Sequence, residues 1–277
     1  MDETPDSIAR SILLSCDIRP KVGIVLGSGL GPLGDHVQDA IGIPYQEIPG
    51  FPVSRVAGHA GKLILGTLQS VPVVAMQGRT HLYEGWSFSQ ASLPIETMIA
   101  MGIELLIVSN ASGGINLRFR SGEIVLIDSH INLLFRSPGP ERPPDHSKFA
   151  SSNPLRSSDV YSRDWIEKVQ RCALRLGFSL PRGTYLATLG PNYETRAEYR
   201  AFAKMGADMV GMSTVPEVLV AARRGLPVLG FSIITNIANP DRPTQTDHSE
   251  VLDWSTSAQQ RLLPLLGSLL SEFPPHR

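Results

Sequence analysis

Short apolar runs alternate with longer amphipathic stretches along most of the chain. The runs are rich in β-branched and aliphatic residues and predict strands at residues 21–26, 62–68, 71–76, 105–109, 123–127, 185–189, 209–212 and 228–235. The amphipathic stretches predict helices near residues 6–16, 89–101, 163–176, 196–205, 216–224 and 251–270. Strands that alternate with helices in this way indicate a single α/β domain over residues 1–277, with a largely buried sheet.

Two predicted helices have a recognisable start. Thr195-Arg196-Ala197-Glu198 and Thr214-Val215-Pro216-Glu217 both match the Ser/Thr-x-x-Glu capping box, in which the two side chains satisfy backbone N–H groups at the helix N-terminus. We therefore expect Glu194 and Ser213 to lie on well-fixed backbone. Two other segments, 136–158 and 238–247, are rich in Pro and polar residues and predict surface loops.

The composition excludes several classes of protein. Because 25 Lys and Arg balance 26 Asp and Glu, a surface that coats nucleic acid is not expected. Two cysteines are too few for a disulfide scaffold or a zinc cluster. The acidic N-terminus does not resemble a signal peptide, and no apolar run approaches the ~20 residues of a membrane span. We expect a soluble, cytoplasmic protein with no membrane contact.

Polar or glycine-rich clusters follow most of the apolar runs. They are Gly27-Ser28-Gly29, Gln77-Gly78-Arg79-Thr80-His81, Ser109-Asn110-Ala111-Ser112-Gly113-Gly114, Gly190-Pro191-Asn192-Tyr193-Glu194-Thr195, Met212-Ser213-Thr214 and Thr235-Asn236. In open α/β sheets, ligands bind outside the carboxyl ends of the strands. The Gly27–Gly31 and Asn110–Gly114 segments are interpreted as turns with free N–H groups, and Arg79 offers a cationic fork suited to phosphate. The pattern predicts one site that binds an anion.

Other motifs fit less well. Gly29-Leu30-Gly31-Pro32-Leu33-Gly34 matches the dinucleotide-binding pattern formally, but Pro32 interrupts it and no strand ending in an acidic residue follows. The seven histidines are scattered, without i, i+4 partners, so no metal site is expected. A dinucleotide-dependent oxidoreductase is the weakest of the hypotheses that remain open.

Taken together, the clusters resemble the trimeric class of purine nucleoside phosphorylases over residues 23–252. The matching stretches are residues 27–31, 58–61, 77–85, 110–114, 190–195 and 206–217, then Thr235-Asn236 and His248. The resemblance implies a single domain with a central mixed, partly barrel-like sheet flanked by helices. It also implies reversible phosphorolysis of 6-oxopurine (deoxy)ribonucleosides such as guanosine and inosine, in purine salvage, with no cofactor and a homotrimeric assembly.

The resemblance also implies roles for individual residues. Phosphate is held by Ser28, His59, Arg79, His81, the Ala111 backbone and Ser213. The ribose is lined by Tyr83 and Met212, with His248 at its 5′-hydroxyl, and the base by Tyr193, Glu194, Val210, Met212 and Asn236. Catalysis is assigned to Asn236, Glu194 and His81.

The chemistry of two residues explains the expected substrate class. An ionised Glu194 only accepts hydrogen bonds, so it favours a base with an N1–H, which guanine, hypoxanthine and xanthine carry and adenine does not. Asn236 donates to N7 of the departing base. Related methylthioadenosine phosphorylases, the first alternative, usually have Asp at the position of Asn236 and a small apolar residue at that of His248. A nucleoside- or phosphate-binding protein without catalysis is the second alternative.

Purely structural roles also remain open. In this interpretation Val210 and Met212 belong to the core and Tyr83 packs within its loop. Glu194 is then a carboxylate that the dipole of a helix N-terminus stabilises.

One departure from the family concerns the assembly. Relatives place a phenylalanine over the neighbouring subunit's ribose just before the segment 158–161, whereas residues 152–157 here contain none. Phe149, several residues upstream, is the candidate replacement.

Overall fold

The computed structural model describes residues 4–56, 60–135, 160–241 and 248–273. In these residues the strands are β1 (Val22–Leu26), β2 (Gln38–Pro44), β3 (Lys62–Leu68), β4 (Val71–Gln77), β5 (Leu105–Gly114), β6 (Ile124–Asn132), β7 (Arg182–Ala187), β8 (Met209–Gly211) and β9 (Val228–Ile237). The helices are α1 (Pro5–Leu14), α2 (Phe88–Ala100), α3 (Arg163–Arg175), α4 (Arg196–Lys204), α5 (Val215–Arg223) and α6 (His248–Leu270). The predicted loop 136–158, with Phe149, lies outside the described residues, as does most of the loop 238–247.

The strands form one mixed sheet in the order β2-β3-β4-β1-β5-β8-β7-β6-β9, and an additional pairing of β5 with β9 closes part of it. The strands β5, β8, β7, β6 and β9 thus make a barrel-like ring, and β2, β3, β4 and β1 extend from it. Helices flank the sheet, with α5 and α6 packed on β9. The expected single α/β domain with a partly barrel-like sheet is confirmed.

Burial explains why the sheet could be recognised from its apolar runs. All five residues of β1 are buried, as are the first eight of β9, because both faces of these strands are covered. β2 was not predicted, since it is an edge strand with mostly exposed residues and pairs only with β3. Its sequence therefore lacks the apolar run that marked the others.

The interpretation of residues 110–114 as a turn was wrong. These residues continue β5, paired with β9 along one side and with β8 near Gly113 and Gly114. Their backbone N–H groups belong largely to the sheet, and the polar side chains of Asn110 and Ser112 are buried. A shift in register between Ser112 and Gly113 bends the end of the strand, as bulges beside binding sites commonly do.

The topology brings the polar clusters to one end of the sheet. Strands β4, β1, β5 and β9 run parallel to one another, so the segments that follow their carboxyl ends meet. β8 runs antiparallel to β5 and pairs with its last residues, which returns residues 212–214 to the same place. β7 is parallel to β8 and delivers residues 188–194 beside them.

Candidate active site

One cleft at this end of the sheet, with a volume of about 320 Å³, collects most of the predicted site residues. Its walls include Ser28, Arg79, His81, Tyr83, Ala111, Tyr193, Glu194, Val210, Met212, Ser213 and Asn236. His59 lies outside the described residues. His248 begins α6, and its side chain is not described. The volume is that of a small-molecule site.

Gly27 allows the backbone of the first cluster to approach β5 and Arg79. A Cβ atom at Gly27 would lie 2.5 Å from the Ser109 carbonyl oxygen and 2.9 Å from Nη2 of Arg79. Any side chain there would displace the Arg79 guanidinium, so only glycine fits. Ser28 follows directly and faces the cleft.

Arg79 is almost fully buried, at 2% exposure, and is held by a buried partner. Its Nη1 lies 2.9 Å from Oε1 of Glu217 and donates to Thr214 Oγ1 at 3.2 Å, while Nη2 donates to the Ser109 carbonyl oxygen. A buried charge is tolerated in a protein interior when it is paired and hydrogen-bonded in this way. The guanidinium that faces the cleft is therefore fixed from behind.

The capping box predicted at Thr214 is wrong, and the Arg79 network explains why. Thr214 has φ of +71° and its side chain makes no capping hydrogen bond, whereas the equivalent box at Thr195 and Glu198 is formed. Glu217 turns inward to pair with Arg79, and Thr214 Oγ1 accepts from Asn110 Nδ2 at 2.8 Å. Tertiary charge pairing overrides the local pattern.

Buried hydroxyl and amide groups extend this network between β5 and β9. Ser232 Oγ donates to Oδ1 of Asn110 at 2.6 Å and lies 2.6 Å from Ser112 Oγ. Ser213 Oγ lies 3.2 Å from Thr214 Oγ1. Buried polar groups that are mutually satisfied in this way rigidify their surroundings.

His81 is positioned by a short 3₁₀ turn, Leu82–Glu84. Its Nδ1 lies 3.4 Å from Glu84 Oε1, and its ring stacks on Tyr83 with centroids 4.8 Å apart. Burial raises the pKa of Glu84, but hydrogen bonds from His81 and from the Arg55 backbone outweigh it and bring the pKa to about 2. An ionised Glu84 therefore orients the imidazole at neutral pH.

Tyr83 and Met212 meet at Gly190. A Cβ atom at Gly190 would clash with Sδ of Met212 and lie 3.2 Å from the Tyr83 ring. The two residues predicted to line a sugar are thus neighbours in the cleft. Val210 is buried in an apolar cluster and also lines the cleft, so it belongs to both core and site.

The cleft also contains an amide and a carboxylate, those of Asn236 and Glu194. Asn236 lies over Gly113, where a Cβ atom would be 3.6 Å from its Oδ1 and 3.7 Å from its Nδ2. Thr235 Oγ1 lies 3.2 Å from Asn236 Oδ1, which leaves the Nδ2 group as the donor. Glu194 Oε1 accepts from Thr188 Oγ1 at 3.1 Å. Burial raises the pKa of Glu194, and hydrogen bonds from Thr188 and Tyr199 oppose the rise.

Four residues at the cleft were given no individual role from the sequence. Asn110 and Thr235 belong to the predicted polar clusters and line the cleft. Tyr199, which also lines it, and Glu217, which pairs with Arg79, were not predicted as site residues. For Asn110, the turn interpretation concealed the signal of a polar residue that continues an apolar strand. Among the described residues, no group of three or more His, Cys, Asp or Glu side chains is placed to hold a metal ion, and no helix there is long and apolar enough to cross a membrane.

Comparisons with known proteins agree with this geometry. The sequence profile of the Phosphorylase superfamily matches residues 21–271. The chain is 43% identical to Purine nucleoside phosphorylase 1 of Bacillus subtilis (strain 168) over 254 residues, 92% of this chain and 93% of that protein. It is 42% identical to the purine nucleoside phosphorylase of Mus musculus over 277 residues, 98% of this chain and 96% of that protein.

Solved structures show the same similarity to purine nucleoside phosphorylases. A crystal structure of Schistosoma purine nucleoside phosphorylase in complex with hypoxanthine superposes with a TM-score of 0.86, at 36% identity, over 98% of this chain and 97% of that one. The sequence profile, the relatives and the shared fold each span most of the chain. This chain therefore belongs to the Phosphorylase superfamily and, within it, to the purine nucleoside phosphorylases.

Proposed function

We propose that this enzyme catalyses the reversible phosphorolysis of 6-oxopurine nucleosides and deoxynucleosides, such as inosine and guanosine, to the free base and (deoxy)ribose 1-phosphate. The observation that carries the proposal is the composition of one cleft. Ser28, Arg79 and Ser213 lie at its walls together with Asn236 and Glu194, although they come from five separate segments of the chain. Anion-binding groups and groups suited to a purine edge are thereby brought to one small volume.

Phosphate is both nucleophile and counter-charge in this reaction. The proposed phosphate site consists of Arg79, His81, the hydroxyls of Ser28 and Ser213, the Ala111 backbone and His59. Because Glu217 already pairs with Arg79, the guanidinium is preorganised and needs little rearrangement when the anion binds. A phosphate oxygen held toward the anomeric carbon removes part of the entropic cost of joining two reactants.

The sugar gains positive charge as its bond to the base breaks, and the purine gains negative charge. Bound phosphate stabilises the positive charge on the sugar. Nδ2 of Asn236 donates to N7 of the base and stabilises the negative charge on the purine. A contact of this type is worth roughly 3–4 kcal/mol of the barrier. Thr235, which engages Asn236 Oδ1, holds the amide in the orientation this role requires.

Glu194 selects the base, and the remaining residues hold the nucleoside. An ionised carboxylate accepts from the N1–H of a 6-oxopurine and is mismatched to adenine. Tyr193 and Val210 pack against the base, Tyr83 and Met212 against the ribose, and His248 reaches the 5′-hydroxyl. Schistosoma relatives bind hypoxanthine, inosine and guanosine, which supports 6-oxopurines as ligands. A complex of a Schistosoma relative with adenosine means that the preference against adenine rests on Glu194 and is measured by turnover.

The wider setting is part of the same proposal. The enzyme acts in the cytoplasm in purine salvage, as a homotrimer whose chain of residues 1–277 forms one domain. It uses no metal or organic cofactor, since phosphate and the groups of the cleft supply the chemistry.

Release of hypoxanthine from inosine, with and without inorganic phosphate, tests the proposal. We expect base release only in its presence. Equal release without phosphate would identify a nucleoside hydrolase and overturn the proposal, and binding of inosine without turnover would identify a binding protein.

A further inference from the structure

Tyr199 lines the cleft but has no part in the mechanism above. Its position is set by the start of α4, where Thr195 is the N-cap and forms a capping box with Glu198. Glu194 is then the residue before the cap, and Tyr199 is the fourth residue of the helix. These two positions are adjacent in space in capped helices, where an apolar pair usually occupies them. Here they hold a carboxylate and a phenol.

The phenol of Tyr199 lies close enough to Glu194 to lower the pKa of the carboxyl group, and the carboxylate raises the pKa of the phenol. In such a contact the phenol is the donor, since an ionised carboxylate only accepts. Thr188 Oγ1 donates to the same carboxylate from β7's end of the cleft, at 3.1 Å. The Glu194 carboxylate therefore accepts from Thr188, is stabilised by its own backbone N–H and lies near the Tyr199 hydroxyl.

The Tyr199 ring is itself fixed. It packs against an apolar cluster of Ile115, Leu186, Phe202, Ala207 and Val210, and Val210 lines the same cleft. The hydroxyl is consequently presented to Glu194 by a ring with little freedom to move. A hydrogen bond from a pre-positioned donor loses less conformational entropy than one from a free side chain.

We propose that Tyr199 is a positioning residue that holds Glu194 oriented and ionised, and that it thereby sets the preference for bases with an N1–H over adenine. The inference rests on the proposed phosphorolysis and on the role of Glu194 in it. The determinant of specificity that it adds is a tyrosine that lies five residues after the glutamate it positions.

Electrostatics agree with this role. Burial raises the pKa of Glu194, and the charge of Glu198 adds to the rise, while Glu194's own backbone N–H, Thr188 and Tyr199 lower the pKa, in that order. Burial, Glu194, Tyr193 and Glu198 all raise the pKa of Tyr199, so the phenol keeps its proton and remains a donor. The titratable groups that act on Glu194 are therefore Tyr199 and Glu198, both on α4, and Tyr193 in the preceding loop acts on Tyr199.

Removing the donor has a defined consequence. Without the Tyr199 hydroxyl the pKa of Glu194 rises further, so the carboxylate is protonated at a higher pH. A protonated carboxyl accepts poorly from N1–H but donates to the unprotonated N1 of adenine. Loss of the hydroxyl should weaken turnover of inosine and favour adenosine, most strongly on the acidic side.

The test is Tyr199→Phe, assayed for kcat/KM on inosine and adenosine between pH 5.5 and 8, with phosphate saturating. A hydrogen bond to a charged group supports an expected loss of about tenfold on inosine near pH 6. The acid limb of the inosine profile should move up by about one pH unit, and the adenosine-to-inosine ratio should rise about tenfold at pH 6.

Two further variants complete the experiment. Tyr161→Phe removes another buried phenol, which contacts His130 at 3.2 Å outside the cleft, and should leave both readouts unchanged. Tyr199→Leu also lacks the hydroxyl and should repeat the result if the phenylalanine variant does not fold.

The outcomes separate this inference from the proposed function. No phosphate-dependent base release by the unmodified enzyme would overturn the function itself. An active enzyme whose Tyr199→Phe variant keeps the same acid limb and the same base preference would overturn the role of Tyr199. An equal loss on both nucleosides at every pH would assign Tyr199 to structure alone and would also overturn it.

Discussion

The cleft residues proposed to bind phosphate (the phosphate end) and those proposed to bind the base (the base end) are held differently. At the phosphate end, Arg79 and His81 are buried, at 2% and 8% exposure, and Arg79 is fixed by an ion pair with Glu217. At the base end, Tyr193 is 54% exposed, and Glu194 accepts a single side-chain hydrogen bond, from Thr188. Buried charge pairing fixes the first group, and weaker contacts nearer the surface hold the second.

This difference matches the two ligands. Inorganic phosphate is the same in every turnover, so its site can be rigid and preorganised. The base varies among nucleosides, so its site depends on the ionisation and orientation of a few groups. Substitutions at the phosphate end should therefore change stability first, and those at the base end should change kcat and substrate preference first.

The largest effect on stability is expected from Glu217→Gln. It leaves Arg79 buried without its charge partner, which should lower the free energy of unfolding by about 3–5 kcal/mol. Urea denaturation measures this. Added phosphate should recover part of the loss, because a bound anion pairs with Arg79 and stabilises the folded state.

The control for this variant is Glu96→Gln. Glu96 pairs with Arg224 at 2.9 Å, the distance found for Arg79 and Glu217, but Arg224 is 58% exposed. Surface pairs contribute about 0–1 kcal/mol, so this variant should be nearly as stable as the parent. Equal losses in the two variants would contradict the contrast between the ends of the cleft.

At the base end, Asn236→Ala should lower kcat by about 10²–10³, with little change in KM or in the urea midpoint. The reason is that the donor to N7 acts most strongly as charge develops on the base. Steady-state kinetics on inosine measure both constants. A higher KM with unchanged kcat would assign Asn236 to ground-state binding instead.

Thr235→Val should have a smaller effect of the same kind. Its hydroxyl engages Asn236 Oδ1, and its loss lets the amide rotate, so kcat should fall by roughly tenfold. Thr235→Ser, which keeps the hydroxyl, should restore most of the rate. If serine and valine give the same kcat, the hydroxyl does not orient the amide.

A further effect on stability concerns Glu84 and pH. Its folded pKa of about 2 lies below the ordinary 4.5, so its contribution to stability is present above pH 4.5 and is lost as pH falls toward 2. The advantage of the parent over Glu84→Gln in urea midpoints should therefore shrink between pH 5 and pH 3. A constant difference over that range would show that the carboxylate charge does not stabilise the fold.

The sequence predicted the site better than it predicted how the site is held. Clusters after the apolar runs placed Ser28 and Arg79 at one cleft, because parallel strands bring their carboxyl ends together. Ser213 lines the same cleft by another route, since β8 runs antiparallel to β5 and pairs with its last residues. Glu217 was assigned to a helix cap, since its local pattern is the same as that of Glu198. Only the approach of Arg79, 138 residues away along the chain, separates the two cases.

The errors in the fold have a similar cause. β2 has no apolar run because its residues are mostly exposed. The end of β5 is rich in Asn, Ser and Gly, which favour turns locally, yet pairing with β8 and β9 keeps these residues extended. In both places the partner strand, which is distant in sequence, decides the structure.

The most direct test of the account is to follow the fate of phosphate by ³¹P NMR while the enzyme consumes inosine. A cleft that holds phosphate and nucleoside together should yield one sugar phosphate ester for each hypoxanthine released. Hypoxanthine formed with free ribose and unchanged inorganic phosphate would contradict it.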